Sequence, residues 1–319
     1  MAGVVSGFFV IAVIVTVGAF AGWCNLLGPQ GRFVLNRLTY FIAGPCLVFV
    51  SLIDSDLHLI LSANFAVAAL AALLTTLLAA VLSRIFLQQD FPHTVISSVS
   101  ASMVNSANMG FPIAAYVLGD VSLALPVALW QMAVFTPLFQ SVLHSAVSGQ
   151  RPSVRALAGT IAVNPLIVAS AAGLAVLGFD LHLPAFVTEP IDVIAGISIP
   201  GMLLAFGMSL TTSRPFSKEA GHRADIVLAT ALKLLAMPLF AWALGRFAFD
   251  LTGTALYAVV VLAALPTAQN VYVAAARYEV GEEMTRDIAL LTSFGTMVAL
   301  MVIASLFGAS EALYVRVEA

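Results

Sequence analysis

The sequence predicts an all-α polytopic membrane protein of ten transmembrane helices, built as two inverted five-helix repeats with broken, crossing helices four and nine. Three observations lead there. The 319 residues are 61% hydrophobic and only 9% charged, against about 25% charged in typical soluble domains, and the mean hydropathy is +1.05. Apolar runs long enough to cross a bilayer recur along the chain. Two of these runs are interrupted by polar residues and proline at places about half a chain apart.

A hydrocarbon core of about 30 Å takes roughly 20 apolar residues per helix. Runs of that length fall near 4–22, 34–53, 63–87, 94–118, 122–145, 159–178, 187–212, 224–249, 254–277 and 284–308. The first, Val4 to Gly22, ends in Ala19-Phe20-Ala21, loosely like a signal-peptidase site. No Lys or Arg precedes it, so the basic leader of a signal peptide is missing and the run is expected to be span one. Spans two and seven carry Pro45 and Pro200, spans four and nine carry the interruptions, and span eight carries Lys233. The longest polar loops lie near 146–158, 213–223 and 278–286, and none leaves room for a soluble domain. The expected organisation is a first repeat over 1–145, a cytoplasmic linker over 146–158, an inverted second repeat over 159–308 and an extracytoplasmic tail over 309–319.

Orientation follows from the basic residues. With the N-terminus outside, the cytoplasmic loops hold Arg32, Arg37, Arg84, Arg151, Arg155, Arg214, Lys218, Arg223, Arg277 and Arg286, ten of the 13 Lys and Arg. The outer side holds Arg246 and Arg316. Such a bias over short loops is the positive-inside signal. It predicts a multi-pass protein of the cell's inner (plasma) membrane with both termini extracytoplasmic.

The two halves resemble each other. Gly44-Pro45-Cys46 in span two parallels Ile199-Pro200-Gly201 in span seven, an offset of 155, and Pro112 to Pro266 is an offset of 154. Five spans is an odd number, so the second repeat enters the membrane upside down. Pro45 and Pro200 are the expected helix breaks or hinges of spans two and seven.

The interruptions carry the chemistry. The first reads Ser102-Met103-Val104-Asn105-Ser106-Ala107-Asn108-Met109-Gly110-Phe111-Pro112, the second Ala264-Leu265-Pro266-Thr267-Ala268-Gln269-Asn270-Val271-Tyr272. Backbone groups freed by a break cannot stay unpaired in hydrocarbon, so breaks survive where protein or a wet cavity receives them. Interrupted spans in corresponding positions of two halves point to a transporter's substrate site. Gly110 with Pro112 is expected to divide span four, and Pro266 to divide span nine. Half-helix N-termini then offer amide donors and a positive dipole end to an anion. The candidate substrate-binding residues are Asn105, Asn108, Gly110, Pro112, Pro266, Thr267, Gln269, Asn270 and Tyr272. Gln131, Gln140 and Asn164 read as polar links between helices. Lys233 is either a charge partner for the anion or a side chain snorkelling to the cytoplasmic interface.

Other classes find no support. Cys24 and Cys46 stand alone, the five histidines have no HxxxH or HxxE partner, and no metal site is expected. The HExxH, GxSxG and Walker A patterns are missing, so neither an enzyme nor an ATPase is expected. No charged ring or carbonyl filter motif suggests a channel. The net charge of −3 gives no reason to expect nucleic acid. Spans four and nine have no Asp or Glu in their central portions; Asp54, Asp56, Glu189 and Asp192 lie at outer span ends and Asp287 near an inner one. The simplest expectation is therefore an anion carrying its own charge, with no cofactor. Coupling to Na+ or H+ is the alternative, with Thr267, Gln269 and Asp192 as its candidates. Expected partners are a small organic anion and membrane lipids, and a homodimer is left open.

Asn105-Ser106-Ala107-Asn108-Met109-Gly110-Phe111-Pro112 resembles the polar fourth span of the auxin efflux carrier family, within the bile-acid/auxin/arsenite transporter superfamily. Leu265-Pro266-Thr267-Ala268-Gln269-Asn270-Val271-Tyr272, with Tyr278 beyond, looks like the ninth-span motif of its bacterial members. The resemblance covers essentially the whole chain. It implies a bile-acid-symporter-like fold with a scaffold and a crossover core. It also implies carriage of organic anions such as malonate, malate or auxin-like acids. The long central loop of many plant members is absent, so regulation through that loop is not implied.

Overall fold

A computed structural model describes residues 2–54, 63–149, 159, 162–212 and 223–317. Asp56, His58, Arg151, Arg155, Arg214, Lys218 and His222 lie outside the described residues, as does most of the expected linker. The described residues are helical, with no strand beyond one isolated bridge. In chain order the helices are α1 (Ala2–Trp23), α2 (Gly31–Ile53), α3 (Ala63–Phe86), α4 (Phe91–Ser102), α5 (106–118), α6 (Val121–Ser148) and α7 (Pro165–Gly178). They continue as α8 (Ala185–Ala195), α9 (Ser198–Thr212), α10 (Arg223–Ala248), α11 (Gly253–Ala263), α12 (Gln269–Tyr278) and α13 (Glu282–Val317).

Among the described residues, six helical stretches are long and apolar enough to cross a membrane: α2, α3, α6, Ala185–Leu210, α10 and Glu282–Gly308. Shorter apolar helices occupy Phe9–Trp23, Asn108–Leu118, Pro165–Gly178 and Gly253–Ala263. The protein is therefore a multi-pass, all-helical membrane protein.

Prolines shape these helices in a repeating way. A five-residue π-helical turn ends two residues before Pro45 (Thr39–Ala43), Pro112 (Ser106–Gly110), Pro137 (Gln131–Phe135) and Pro238 (Leu232–Ala236). The residue just before the ring donates its N–H five residues back, from Gly44 to Thr39, Thr136 to Gln131 and Met237 to Leu232. A proline cannot donate, and its ring crowds the carbonyl four residues earlier. Widening the turn relieves both problems without ending the helix. The expected break at Gly110 and Pro112 is thus displaced: Gly110 is helical (φ −64°, ψ −51°), and α4 stops earlier, at Ser102. Pro45 likewise sits in an unbroken α2, whereas Pro200 lies in the first turn of α9, just after the turn at Gly196–Ile197.

The chain divides into two compact units. The first comprises Met1–Phe8, Ala66–Asn105 and Pro215–Ala319, the second Phe9–Phe65 and Ser106–Arg214. In the first, α10 packs on α13 and α4, and α12 packs on α13 and α4. Its core includes Ile96, Val99, Val261, Leu262 and Ile288. Helix α4 is rich in serine yet buried. Ser98, Ser100 and Ser102 bond the carbonyls of Thr94, Ile96 and Ser98 one turn back, at 2.6, 2.7 and 2.9 Å, so their hydroxyls need no outside partner. Asp90 caps α4 by accepting the His93 amide at 2.9 Å. Burial alone would raise its carboxyl, but the His93 amide and ring, with Arg84, hold it below the usual carboxylate range.

In the second unit, α2 packs on α7 and α8, and its first half on α9. Small residues bring α1 and α9 into backbone contact: a Cβ on Gly207 would strike the Val15 carbonyl and the Ala19 nitrogen, and one on Gly18 would strike the Leu204 carbonyl. Close approach at glycine is how membrane helices gain packing without a hydrophobic drive. Replacing Gly207 by Leu should cost about 1–3 kcal/mol and lower the thermal unfolding midpoint in detergent. Gly178→Ala, with open space around its added Cβ, should leave that midpoint unchanged.

Candidate functional site: the paired helix interruptions

Both interruptions have members in the first unit, where they pair. After Ser102 the backbone of Met103 is extended (φ −85°, ψ 120°). On the other side, α11 ends at Ala263 and α12 begins at Gln269. Val104 and Thr267 form an antiparallel bridge. The Asn105 amide donates to the Pro266 carbonyl at 2.8 Å, and the Ala268 amide donates to the Met103 carbonyl at 3.0 Å. Pro266 contributes no donor and sits where only its carbonyl is needed.

Side chains satisfy the groups that the bridge leaves over. Thr267 donates its amide to Thr292 Oγ1 at 3.0 Å and its hydroxyl to the Ser100 carbonyl at 2.7 Å. Thr296 Oγ1 donates to the Ala264 carbonyl at 2.9 Å. Lys233 Nζ donates to the Ala263 carbonyl and to Met237 Sδ, both at 3.0 Å. Lysine is therefore not snorkelling: it is 0% exposed and turned onto the last residue of α11.

Of the residues expected at the site, Asn105, Pro266 and Thr267 meet directly and are buried. Gln269 (half-buried) and Asn270 (exposed) open α12, whose N-cap, Ala268, supplies no side-chain bond. The first amides of α12 thus have no side-chain cap. Tyr272, one turn on, donates its hydroxyl to Glu282 Oε1 at 3.0 Å. Asn108 (half-buried), Gly110 and Pro112 (both buried) lie on α5 in the second unit, with Pro45 on α2 and Pro200 on α9. In that unit Gln131 Nε2 donates to Ser106 Oγ at 2.7 Å, linking two helices as expected. Asn164 instead caps α7, accepting the Leu166 amide at 3.0 Å.

Sequence reasoning missed the partners contributed by α13. Thr292 and Thr296 read as ordinary hydroxyls in an apolar span, and only their four-residue spacing on one helix face hinted at a shared role. It also missed two buried carboxylates of the first unit. Asp225 is 2% exposed and accepts from Gln89 Nε2 at 2.7 Å and Ser83 Oγ at 3.3 Å. Asp287 is 0% exposed; Oδ1 accepts from Arg286 Nε at 3.0 Å, and Oδ2 has no hydrogen bond among the described residues. Asp192, a sequence candidate for cation coupling, is exposed on α8. Among the described residues no group of three or more His, Cys, Asp or Glu could hold a metal ion.

Thr292→Val keeps the side-chain shape but leaves the Thr267 amide buried without an acceptor. It should cost about 1–3 kcal/mol, read as a lower unfolding midpoint in detergent. Ser293→Ala, one residue on, removes a hydroxyl bonded only to its own helix and should stay within about 0.5 kcal/mol.

A family model described as "Membrane transport protein" matches residues 4–151 and 152–304. The chain is 28% identical over 271 residues to a "Putative malonate transporter" of Rhizobium meliloti, covering 81% of this chain and 82% of that one. It is 25% identical over 297 residues to an "Uncharacterized transporter" of Methanothermobacter thermautotrophicus, covering 91% and 94%. An uncharacterized transporter of Methanocaldococcus jannaschii is 22% identical over 297 residues, with the same coverage. These relatives are described as transporters rather than enzymes, and the family match covers nearly the whole of this multi-pass chain. The protein belongs to the membrane transport protein family, the family of the auxin efflux carriers.

Proposed function

We propose that this protein is a secondary carrier of small organic anions, carboxylates such as malonate or malate, working by alternating access. The observation that carries the proposal is the pairing of the two interruptions through Val104 and Thr267. A soluble helix can break anywhere, but a break inside hydrocarbon persists only where its groups are received. Here the breaks receive each other, and α12 begins beside them with its first amides uncapped by any side chain. Such an end favours a negative group. The relative described as a malonate transporter supports a dicarboxylate as the first substrate to try.

In this reading Gln269 and Asn270, at the open start of α12, contact the anion, Asn105 and Thr267 hold the bridge beside it, and Asn108 is taken as a further contact to be tested. The ten spans form two inverted five-helix repeats, with both termini extracytoplasmic in the inner membrane. The carrier moves its anion without a cation. One elementary charge crossing 100 mV is worth about 2.3 kcal/mol, roughly a fifty-fold gradient, so a negative interior drives a carboxylate outward. A second reading, coupling to a proton, is favoured by one observation: the buried Asp287 carboxylate with a free oxygen among the described residues.

Proteoliposomes loaded with labelled malonate and clamped by a potassium gradient test both readings. The first predicts efflux that follows the imposed potential, ignores sodium and pH, and shows trans-stimulation, which a channel lacks. Efflux strictly dependent on a pH gradient moves the reading to the second, and efflux dependent on sodium overturns both. Asn108→Leu and Asn270→Leu should each remain folded in the membrane and lose transport. Full transport by both would remove the asparagines from the site.

A further inference from the structure

Arg37 lies six residues after the start of α2, about 9 Å along its axis. Its guanidinium carbon sits 5.5 Å from the centre of the Phe33 ring and 5.3 Å from that of Phe41, four residues to either side. Among the described residues it makes no hydrogen bond or ion pair, so all the N–H donors of its fork stay open. The chain around it offers no counter-charge. Asp54, at the far end of α2, is the first acidic residue in the sequence, and Arg32 and Arg37 are the only charged side chains before it. Helix α9, which packs on this stretch of α2, carries no charged residue.

The surface around Arg37 is apolar and open. Phe33 and Phe41 are 57% and 52% exposed, with Val34 and Ile42 exposed beside them. In a multi-pass membrane protein such side chains meet lipid. Trp23, exposed at the end of α1, adds an aromatic residue of the kind that marks the membrane–water boundary. A guanidinium on such a face is costly unless it is paired or reaches that boundary. Cation–π contact with two rings holds it at the helix surface and leaves its donors for something outside the protein. At this depth the acceptor is the phosphate of a phospholipid headgroup, whose oxygens match the guanidinium fork two at a time.

We infer that Arg37, clamped between Phe33 and Phe41, binds the headgroup phosphate of an anionic phospholipid whose acyl chains lie along the open apolar face of α2. In the orientation proposed above, this end of α2 meets the cytoplasmic leaflet, where anionic lipid attracts basic residues. The site uses none of the residues assigned to the carried anion, so it stands whatever the protein transports.

The test uses purified full-length protein in a neutral detergent, with phosphatidylglycerol, phosphatidylcholine or inorganic phosphate added at equal concentration. A ligand that binds only the folded state raises the unfolding midpoint. Phosphatidylglycerol should raise that of wild type more than phosphatidylcholine does, and inorganic phosphate should leave it unmoved. Arg37→Met, which keeps an apolar stem without the fork, should respond to the two lipids alike. Arg246→Met, which removes an exposed arginine from another helix, should keep the wild-type preference. A wild type that does not distinguish the lipids overturns the inference, as does an equal rise in inorganic phosphate, a preference retained by Arg37→Met, or one lost in Arg246→Met. A halving of the light-scattering mass in Arg37→Met, without any lipid preference in wild type, gives the face to a second copy of the chain and overturns it too. Should Arg37→Met not accumulate, Arg37→Lys decides: it keeps the charge without the planar fork and should show a smaller preference than wild type, and an undiminished one overturns the inference.

Discussion

Every backbone N–H and C=O inside hydrocarbon must find a partner within the protein, and the paired interruptions are where that demand is hardest to meet. Two helices stop in mid-run, and each leaves carbonyls on one side and amides on the other. The bridge at Val104 and Thr267 settles four of these groups, through the Asn105 amide to the Pro266 carbonyl and the Ala268 amide to the Met103 carbonyl. Three side chains settle others: Thr292 takes an amide, and Thr296 and Lys233 each fill a carbonyl. Two of the three come from α13 and one from α10, helices that pack on each other in the same unit. The break is therefore a joint product of four segments, and none of them could hold it alone.

Proline acts in two ways in this chain, and the difference explains where the backbone opens. At Pro45, Pro137 and Pro238 the turn before the ring widens and the helix runs on. At Pro266 the helix instead stops, and the next residue, Thr267, is bridged to Val104. A bridging partner segment, rather than the ring by itself, separates the broken helix from the merely widened ones.

Composition and the spacing of apolar runs made the membrane class and the helices legible in the sequence. The second interruption was legible too, because Pro266, Thr267, Gln269 and Asn270 crowd polar groups into an apolar run. The first was only partly so. Gly110 and Pro112 drew attention to the wrong end of the cluster, since a π-helical turn absorbed them and the chain opened at Met103 to Asn105 instead. The direction taken by Lys233 was not legible, because an amphipathic side chain can reach inward or outward from the same position. The burial of Asp225 and Asp287 was hidden for a related reason. Each lies near the start of its helix, where sequence alone suggests the interface, and only packing of α10 and α13 decides whether water reaches it.

Amide hydrogen exchange over residues 103–108 and 264–270, read with and without malonate, tests most directly the rigidity of the paired interruptions and the proposal that an anion binds beside them. Exchange at Asn105 and Ala268 should be as slow as in the cores of α4 and α11 without ligand, because both amides are bonded across the bridge, and slower still at Gln269 and Asn270 when malonate is present. Exchange at loop rates in both segments, unaltered by malonate, would contradict both the rigid bridge and the proposed anion site beside it.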